Sequence, residues 1–406
     1  MTQPQFDIVV FGATSFVGQI LCEYLWQRHG LGGEVKWALA GRSQSKLQQI
    51  RAALGADADG LPLLIADADD EAALRALCDQ TEVVISTVGP YSLYGSTLVK
   101  VCAETGTDYC DLTGEVQWMA RMIAKYEATA QKSGARIVHC CGFDSVPSDL
   151  GVQFLQEHAQ QRFGQTCNSV RLRIKSMRGT LSGGTVASML SKVDECLADP
   201  SVAKVMEDPF ALCPIPGVYQ PDVKTAQYDD ASKSWAAPFI MAIINTRVVH
   251  RSNHLTQGLY GSDFRYDETM MTGSGISGRV KAVATASGLS LLDAALAWPP
   301  TRWLFERFGP KPGDGPSPEA QRAGFYDFIF FGRTADDRRL DVRVTGDRDP
   351  GYGSTSKMLG EAGVCLAFDL PKADHPGGFW TPATLMGGKL RHRLVEHAGL
   401  TFEVVR

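Results

Sequence analysis

The sequence lacks the short patterns that mark several common classes of protein. Its ten cysteines form no C-x-x-C pair, and Cys22, Cys102 and Cys365 lie in apolar helical patterns, so neither a zinc cluster nor a disulfide framework is predicted. A reduced, cytoplasmic setting is therefore expected. The absence of a G-x-S-x-G elbow and of a P-loop excludes the acyl-enzyme and nucleotide-hydrolysis chemistry that those motifs support. A net charge of -5 gives no basic excess, so nucleic-acid binding is not expected.

Long apolar runs are also scarce, and the single long stretch covers residues 280–298. Lys281, Asp293 and the Pro299-Pro300 stop count against a membrane-spanning helix, which needs about 20 consecutive apolar residues. We expect a helix packed on the protein or on a partner. Contact with a membrane surface is an alternative, disfavoured because the polar face has few lysines and arginines. The first strand starts within a few residues of the N-terminus, so no signal peptide is expected.

The chain does contain an alternation of strand and helix patterns from residue 6 to residue 142, which predicts an α/β fold with a doubly wound parallel sheet. After residue 151 apolar residues alternate with arginine and lysine, as strands with one wet face do. The sequence therefore predicts an α+β domain with a mainly antiparallel sheet. Its expected strands lie at residues 170–175, 242–249, 263–269, 325–332 and 339–345.

Helical patterns return near the C-terminus, at residues 356–367 and 384–397, and we expect these helices to pack back on the first domain. The predicted first domain is therefore residues 1–145 completed by residues 350–406. The predicted second domain, for substrate and dimerisation, is residues 146–349. The segment 309–318, rich in proline and glycine, is predicted to be a loop.

A glycine turn follows the first predicted strand and opens a helix. Gly12 permits the sharp turn, and Gly18 lets the helix lie close to the strand with its N–H groups near a pyrophosphate. Ala13 and Thr14 occupy the interval where the dinucleotide fingerprint G-x-G-x-x-G has its middle glycine. This turn alone is therefore weak support for a nucleotide site.

The end of the second predicted strand, Ala40-Gly41-Arg42-Ser43, indicates which nucleotide is bound. An acidic residue normally accepts hydrogen bonds from the 2′-hydroxyl of NAD at this place. A guanidinium cannot accept those bonds, but it can hold a 2′-phosphate bidentately and stack on adenine. Arg42 therefore favours NADP(H) over NAD. The alternative is an ordinary glycine turn followed by a surface arginine.

Several further segments, in one order along nearly the whole chain, resemble the saccharopine dehydrogenase-like oxidoreductases. They are the glycine turn, AGR at 40–42, STVGPYSLYG at 86–95, DLTGE at 111–115 and CGFDSVPSDLG at 141–151. Within that family, four more segments look like the trans-acting enoyl reductase branch: SGGTVASM at 182–189, KPGDGPSPEAQRAGF at 311–325, DPGYGSTSKMLGEAGVCLAFD at 349–369 and GGFWTPATLMGG at 377–388. The resemblance implies a Rossmann domain for NADP(H), an inserted α+β domain, and reduction of an enoyl thioester held by a polyketide or lipid synthase.

The resemblance also implies roles for residues in the cofactor site. The pyrophosphate would be surrounded by Gly12, Ala13, Thr14, Ser15, Phe16, Val17 and Gly18. Arg42 and Ser43 would meet the 2′-phosphate, and Asp67 the adenine edge. The nicotinamide ribose would be lined by Thr87, Val88, Gly89 and Pro90. For Asp67 an equal alternative is a helix N-cap.

Candidates for catalysis are Tyr91, Tyr94 and Asp144, because they follow two strands whose carboxyl ends face the expected crevice. Reduction of an enoyl thioester needs a donor at the carbonyl oxygen and a proton for the α-carbon. A tyrosine can supply either. Alternatively, Tyr91 only walls the nicotinamide, and Asp144 only caps the helix that begins near Pro147.

The second domain offers fewer signals. Ser182-Gly183-Gly184-Thr185 opens an apolar helix whose free N–H groups could hold an anion, although a plain helix start explains it equally well. His250 and His254 lie at the end of a predicted strand without an acidic third ligand, so no metal site is predicted.

The expected substrate is a small-molecule or carrier-bound acyl group, with an acyl carrier protein or synthase as partner. A homodimer and contact with a membrane surface are open alternatives. Amino-acid dehydrogenation ranks second, because only scattered arginines, Arg171, Arg173 and Arg178, are available for two substrate carboxylates. A non-catalytic lipid-associated protein is the third reading, because fold and family do not settle the substrate.

Overall fold

The computed structural model describes residues 4–179, 183–214, 217–308 and 315–406. One sheet contains the strands β1 (Phe6–Phe11), β2 (Trp37–Gly41), β3 (Leu63–Ile65), β4 (Thr81–Ser86), β5 (Asp108–Asp111), β6 (Arg136–Val138) and β13 (Gly378–Trp380). Its order is β13-β6-β5-β4-β1-β2-β3, and every neighbouring pair is parallel. The predicted doubly wound parallel sheet is therefore confirmed.

A second sheet contains the strands β7 (Cys167–Arg178), β8 (Gln227–Asp229), β9 (Ser234–Pro238), β10 (Arg265–Gly273), β11 (Phe325–Thr334), β12 (Arg339–Gly346) and β14 (Leu400–Val404). Its order is β14-β12-β11-β7-β10-β9-β8. Five neighbouring pairs are antiparallel, which confirms the mainly antiparallel sheet, and the sixth pair, β7 with β10, is parallel.

Helices connect and cover these sheets. They are α1 (Phe16–His29), α2 (Gln44–Ala53), α3 (Glu71–Cys78), α4 (Tyr91–Tyr94), α5 (Ser96–Thr105), α6 (Val116–Ser133), α7 (Val146–Phe163), α8 (Gly183–Ala198), α9 (Pro200–Glu207), α10 (Ala242–Leu255), α11 (Gly275–Ala297), α12 (Pro299–Phe308), α13 (Pro318–Arg322), α14 (Thr355–Val364), α15 (Pro382–Leu385) and α16 (Gly387–His397). Two π-helical turns, Pro350–Ser354 and Cys365–Asp369, flank α14, and a short 3-10 helix covers Ala56–Ala58.

The first sheet is buried on both faces, which explains why its central strands are apolar throughout. Ile8 and Val10 of β1 pack in the core that also holds residues of α1 and α14, whereas Val9 and Phe11 enter a second core with residues of α5 and α6. A strand covered on both sides has no polar face, so its sequence shows a continuous apolar run.

The C-terminal part of the chain contacts both sheets. Helix α14 packs on α1 and also contacts β4 and β5. Strand β13 extends the first sheet beside β6, and β14 pairs with β12 of the second sheet. The domain boundaries themselves stay a prediction. Residues 309–314 of the predicted loop, and Ser182 of the predicted glycine turn, lie outside the described residues.

The predicted strand at residues 242–249 is wrong, because these residues open helix α10. All residues from 244 to 252 except Arg247 are buried, so this part of the helix is covered on nearly every side. A helix that is buried on nearly every side shows no amphipathic period in its sequence, so the β-branched residues of this segment favoured a strand locally.

The two histidines of this segment consequently lie one turn apart on a helix and not at the end of a strand. His250 is buried against the rings of Phe210 and Phe264, at centroid distances of 4.9 and 6.0 Å. Burial lowers the pKa of His250 to about 3. Within the described ranges, no group of three His, Cys, Asp or Glu side chains is placed to hold a metal ion.

Candidate active site

The turn between β1 and α1 accepts glycine alone at two positions. Gly12 has φ +90°, and a Cβ there would lie 2.6 Å from Val88 Cγ2 and 2.8 Å from Thr87 Oγ1. A Cβ on Gly18 would lie 2.2 Å from the carbonyl oxygen of Gly12. The start of α1 therefore lies directly on the end of β1, with the end of β4 beside it. This is the close approach that a dinucleotide turn requires.

Hydrogen bonds brace this turn. Ser15 caps α1 by accepting from the N–H of Gly18 at 2.9 Å, and its hydroxyl lies 2.9 Å from that of Thr87. Thr87 in turn donates to the carbonyl oxygen of Gly12 at 2.9 Å. The N–H groups of Phe16 and Val17 form no hydrogen bond within the described part of the chain. They are donors at a helix N-terminus, the arrangement that suits a pyrophosphate.

At the adenosine end, Arg42 is exposed and forms no hydrogen bond or ion pair with the described residues. Ser43 accepts from the N–H of Lys46 at 3.4 Å and so caps α2. Asp67 is exposed and accepts from the N–H of Asp69, whereas the N-cap of α3 is Asp70. The capping interpretation of Asp67 is therefore wrong. An unpaired guanidinium at this strand end fits a 2′-phosphate.

At the nicotinamide end, the chain after β4 runs past the glycine turn. Thr87 is buried, and the side chain of Val88 covers Gly12. The peptide bond between Gly89 and Pro90 is cis, and Pro90 leads directly into α4. The cofactor residues predicted after the first and fourth strands thus lie together at one edge of the sheet, with Thr14 to Val17 half-buried at the surface of the turn.

Glu115 joins three parts of the site. In the sequence analysis it appears only as the last residue of the segment DLTGE. Its carboxylate accepts from the N–H groups of Tyr91 and Ser92, both at 2.8 Å, and from the hydroxyl of Ser188 at 3.2 Å. It is buried, so it fixes the start of α4 and ties α8 over the edge of the sheet. The sequence carried no further signal for this role, because the three partners come from separate segments.

Tyr91 does not reach the crevice. It is 4% exposed, its hydroxyl donates to the carbonyl oxygen of Ser86 at 2.9 Å, and its ring lies 5.4 Å from that of Trp118. Burial raises the pKa of the Tyr91 hydroxyl well above its ordinary value. This geometry contradicts a role as proton donor, because the hydroxyl proton is already donated to a carbonyl oxygen inside the core.

We therefore expect Tyr91→Phe to leave any kcat within about threefold of that of the unsubstituted protein, while the lost hydrogen bond lowers the free energy of unfolding by about 1 kcal/mol. Steady-state kinetics and denaturant titration would measure the two effects. Tyr94→Phe serves as the companion variant, since Tyr94 is 41% exposed at the end of α4 and its catalytic role stays a prediction. A tenfold or greater loss of kcat in Tyr91→Phe would contradict this interpretation and indicate that Tyr91 is catalytic.

Asp144 lies at the carboxyl edge of the first sheet, after β6. Its side chain is half-buried, and its carboxyl is hydrogen-bonded to its own backbone N–H and to no other described residue. The two carboxylate oxygens lie close to two glycines. A Cβ added to Gly114 would be 3.5 Å from Oδ1 of Asp144, and a Cβ added to Gly142 would be 3.1 Å from Oδ2. Helix α7 has Ser145 as its N-cap, without a side-chain capping bond, so the capping interpretation of Asp144 is wrong.

The surroundings of Asp144 favour its protonated form. Burial raises the pKa of this carboxyl to about 7, and the negative charge of Asp111 acts in the same direction. Asp111 itself is fully buried and bound by Tyr109, the N–H of Cys140 and His139. A half-buried carboxyl that holds a proton near neutral pH, with no protein partner for it among the described residues, is suited to act as a general acid.

Comparisons with known proteins agree with this architecture. The profile of the saccharopine dehydrogenase NADP binding domain matches residues 8–138. A Mycobacterium tuberculosis protein with the provisional name trans-acting enoyl reductase is 41% identical over 417 residues, covering 100% of this chain and 99% of its own. A trans-acting enoyl reductase of Mycobacterium bovis is 38% identical over 404 residues, covering 96% of both chains. The chain belongs to the trans-acting enoyl reductases.

The fold of this trans-acting enoyl reductase is similar to that of saccharopine dehydrogenase (L-Glu forming) from Saccharomyces cerevisiae. The TM-score is 0.54 at 12% identity, with 99% of this chain and 100% of the yeast chain covered, so the likeness concerns the fold alone. Family and domain together make this chain an oxidoreductase with a nicotinamide-nucleotide domain.

The residue next to Asp144 is hydrogen-bonded to helix α10. The hydroxyl of Ser145 donates to Asn245 Oδ1 at 3.1 Å, and Asn245 Nδ2 donates to Glu268 at 2.8 Å. Tyr266 donates its hydroxyl to the other oxygen of Glu268 at 2.7 Å. Glu268 is buried, and this burial raises its pKa to about 7. A polar chain thus connects α10 and β10 to the residue next to Asp144.

This chain of hydrogen bonds predicts a pH-dependent stability. Because the folded-state pKa of Glu268 is raised, its stabilising protonated form is fully present below the ordinary glutamate pKa, and the contribution is lost as pH rises through about 7. Glu268→Gln is neutral throughout. We expect the unfolding free energy of the variant, relative to the unsubstituted protein, to rise by about 1–3 kcal/mol between pH 5 and pH 8.

Denaturant titrations at pH 5, 6.5 and 8 would measure this difference, with Glu23→Gln on the exposed side of α1 as the control for loss of a surface carboxylate. If the unfolding free energy of Glu268→Gln differs from that of the unsubstituted protein by the same amount at all three pH values, the raised pKa of Glu268 is contradicted.

Proposed function

We propose that this protein is an NADPH-dependent reductase of α,β-unsaturated acyl thioesters. The observation that carries the proposal is Asp144, a half-buried carboxyl with a pKa of about 7 and no partner among the described residues, at the same sheet edge as the glycine turn. Hydride reduction of an enoyl thioester needs a proton source at that place. The full-length likeness to trans-acting enoyl reductases supports the substrate class.

Arg42 supports the choice of cofactor. Its exposed guanidinium stands where an NAD-binding protein presents a carboxylate, and no described residue competes for it. The matched domain also bears NADP in its name. Ser43 is engaged in capping α2, so its hydroxyl would add at most a second contact to the phosphate. NADP(H) is therefore preferred over NAD(H).

The proposed reduction needs a hydride from the cofactor and a proton from Asp144. When bound, NADPH supplies a hydride for the β-carbon of the substrate. Addition of that hydride would leave negative charge on the substrate, and Asp144 would donate its proton to the α-carbon. Asp144 regains a proton from solvent through its exposed side. The saturated thioester and oxidised cofactor are the products, so electrons and protons balance.

The substrate is proposed to arrive on another protein. The relatives are named trans-acting, which describes a reductase separate from the synthase it serves. An acyl carrier protein or a synthase would then present the thioester to the sheet edge between Asp144 and α8. A free small-molecule thioester is the alternative form of the same substrate class.

The proposal is tested by following NADPH oxidation with crotonyl and longer 2-enoyl groups, each carried on coenzyme A and on an acyl carrier protein. We expect turnover of enoyl thioesters and none of the corresponding saturated ones. The opposite reaction, NADP-dependent oxidation of saccharopine, serves as the control for amino-acid chemistry. Turnover of saccharopine without turnover of any enoyl thioester would overturn the proposal.

Two of the three arginines considered for amino-acid chemistry are already paired with carboxylates. Arg173 is buried between Asp229 and Asp267, with nitrogen–oxygen distances of 3.1 and 2.5 Å. Arg171 pairs with Asp229 at 3.4 Å, and only Arg178 is exposed without a pair among the described residues. Guanidinium groups held by carboxylates cannot also bind two substrate carboxylates, so this observation disfavours a saccharopine-type substrate.

A further inference from the structure

Helix α11 turns an apolar stripe toward solvent. The stripe consists of Ile276, Val280, Val283, Ser287, Leu291, Ala294 and Trp298, all of which are exposed; Ile276, Val280 and Leu291 are exposed by 84, 62 and 69%. Residues three or four apart share one face of a helix. By length and composition α11 could cross a membrane, yet only 17% of its most apolar window is buried. The helix is therefore apolar on its outer side.

The inner side of α11 is made of small residues. Gly278, Ala282 and Ala286, with Leu296, are its buried positions, and the helix packs on β9, β10 and α8. The stripe lies on the opposite side and no described segment of the chain covers it. An apolar face of this length normally marks an interaction site.

The spacing of the stripe indicates its occupant. Counted from Ser287, the other members lie 4, 7 and 11 residues away in both directions. We propose that a second copy of this chain covers the stripe, with the two α11 helices antiparallel and the two-fold axis at Ser287. In that register Ile276 faces Trp298, Val280 faces Ala294 and Val283 faces Leu291. A two-fold interface requires such self-complementarity.

Small residues let the two helices approach. Ser287 stands at the centre, and Ala284 and Gly288 lie beside it on the exposed side. Two large members of the stripe, Ile276 and Trp298, lie at its two ends, where the helices diverge at any crossing angle. No charged residue lies in the stripe.

The exposed apolar area of this face is of the same order as the area that each partner buries in a stable dimer. A specific dimer buries about 800 Å² on each partner. A helix of 23 residues is about 35 Å long, and a face about 10 Å wide gives roughly 350 Å². The next helix, α12, also presents two exposed aromatics, Trp303 and Phe308, exposed by 58 and 74%. A partner copy that covered these as well would bury about three quarters of the required area.

A membrane surface fits this face less well. Interfacial helices carry many lysines and arginines on the polar face, whereas α11 has Arg279, Lys281 and Asp293. Arg279 is also engaged, since its guanidinium lies 5.4 Å from the ring centre of Trp235. The narrow stripe matches the width of a partner helix and not a flat lipid surface.

Ser287→Cys tests the register directly in the full-length protein. A cysteine on the two-fold axis meets its own copy, so mild oxidation is expected to give a disulfide-linked dimer on a non-reducing gel. Ser277→Cys, on the same helix outside the stripe, and the unsubstituted chain, whose cysteines Cys196 and Cys213 are only half-buried, are the controls. Equal cross-linking in Ser277→Cys, or none in Ser287→Cys, would overturn the register.

Val283→Glu combined with Leu291→Glu tests the interface itself. Sedimentation velocity is expected to show a dimer of the 44.0 kDa chain, and the double variant is expected to raise the dimer dissociation constant at least 100-fold with unchanged circular dichroism. Lys281→Glu, outside the stripe, is the matched control. Flotation with phosphatidylcholine–phosphatidylglycerol vesicles adds a separate readout. A monomer that floats with vesicles, or a dimer that survives the double variant, would overturn the proposal.

Discussion

Asp144→Asn is expected to lower kcat by about 10²- to 10⁴-fold, the range that a positioned general acid supplies. The substituted amide keeps the size of the side chain but has no acidic proton to donate to the α-carbon. The carboxyl of Asp144 has no hydrogen-bond partner on another described residue, so its replacement breaks no network there. The affinity for NADPH is therefore expected to stay within about twofold of the unsubstituted value, because the carboxyl belongs to the reaction and not to cofactor binding.

The stability of the same variant is expected to change in the opposite direction. Because burial raises the folded-state pKa of Asp144 to about 7, its stabilising contribution is present below the ordinary aspartate pKa and is lost as pH rises through 7. At pH 8 the unsubstituted protein holds a desolvated charge that the neutral amide of the variant lacks. We expect Asp144→Asn to raise the unfolding free energy at pH 8 by about 1–3 kcal/mol.

The pH dependence of the rate separates catalysis from a structural effect. The acid must be protonated, so kcat/KM of the unsubstituted enzyme is expected to fall above about pH 7, and Asp144→Glu should keep this limb while moving its midpoint. Stopped-flow measurements of NADPH oxidation from pH 5.5 to pH 9 would show this fall in kcat/KM. A variant Asp144→Asn that retains more than a third of kcat would remove Asp144 from the mechanism.

Arg42→Ala is expected to weaken NADPH binding by about 10- to 100-fold and to leave NADH binding unchanged, since a charge-assisted pair with phosphate contributes about 1.5–3 kcal/mol. The side chain is exposed and unpaired among the described residues, so its truncation costs the fold little. Isothermal titration with each cofactor would measure both affinities.

Lys46→Ala is the matched control for Arg42→Ala, because Lys46 is an exposed cation in the first turn of α2, close along the chain but beyond the strand end. Its truncation is expected to change NADPH affinity less than threefold. Equal affinities of the unsubstituted protein for NADPH and NADH, or a preference that survives Arg42→Ala, would contradict the assignment of the 2′-phosphate.

The first domain could be predicted from the sequence because each of its signals is local. A strand covered on both faces is apolar throughout, as β1 and β4 are, and each glycine of the turn reports a close backbone approach that no other residue allows. The second sheet was less predictable. Residues 242–249 are rich in β-branched side chains but form α10, and the parallel pairing of β7 with β10 depends on a long connection that leaves no local pattern.

The candidate site was predictable only in part, for a similar reason. The sequence located Tyr91 and Asp144 at strand ends, yet it could not show that Ser86 and Trp118 hold the tyrosine in the core or that no described group binds the aspartate. Both outcomes depend on segments distant along the chain. The bridging role of Glu115 also requires α8 and α4 to meet, which only the fold reveals.

The most direct test of the central claim is a single turnover of a 2-enoyl thioester with NADPH carrying deuterium at the transferable position, followed by mass spectrometry of the product. We expect one deuterium at the β-carbon in ordinary water and, with unlabelled NADPH in heavy water, one deuterium at the α-carbon, delivered by Asp144. In Asp144→Asn both products should form at least 100-fold more slowly. Absence of deuterium transfer to any enoyl thioester, with transfer to an amino-acid substrate instead, would contradict the account.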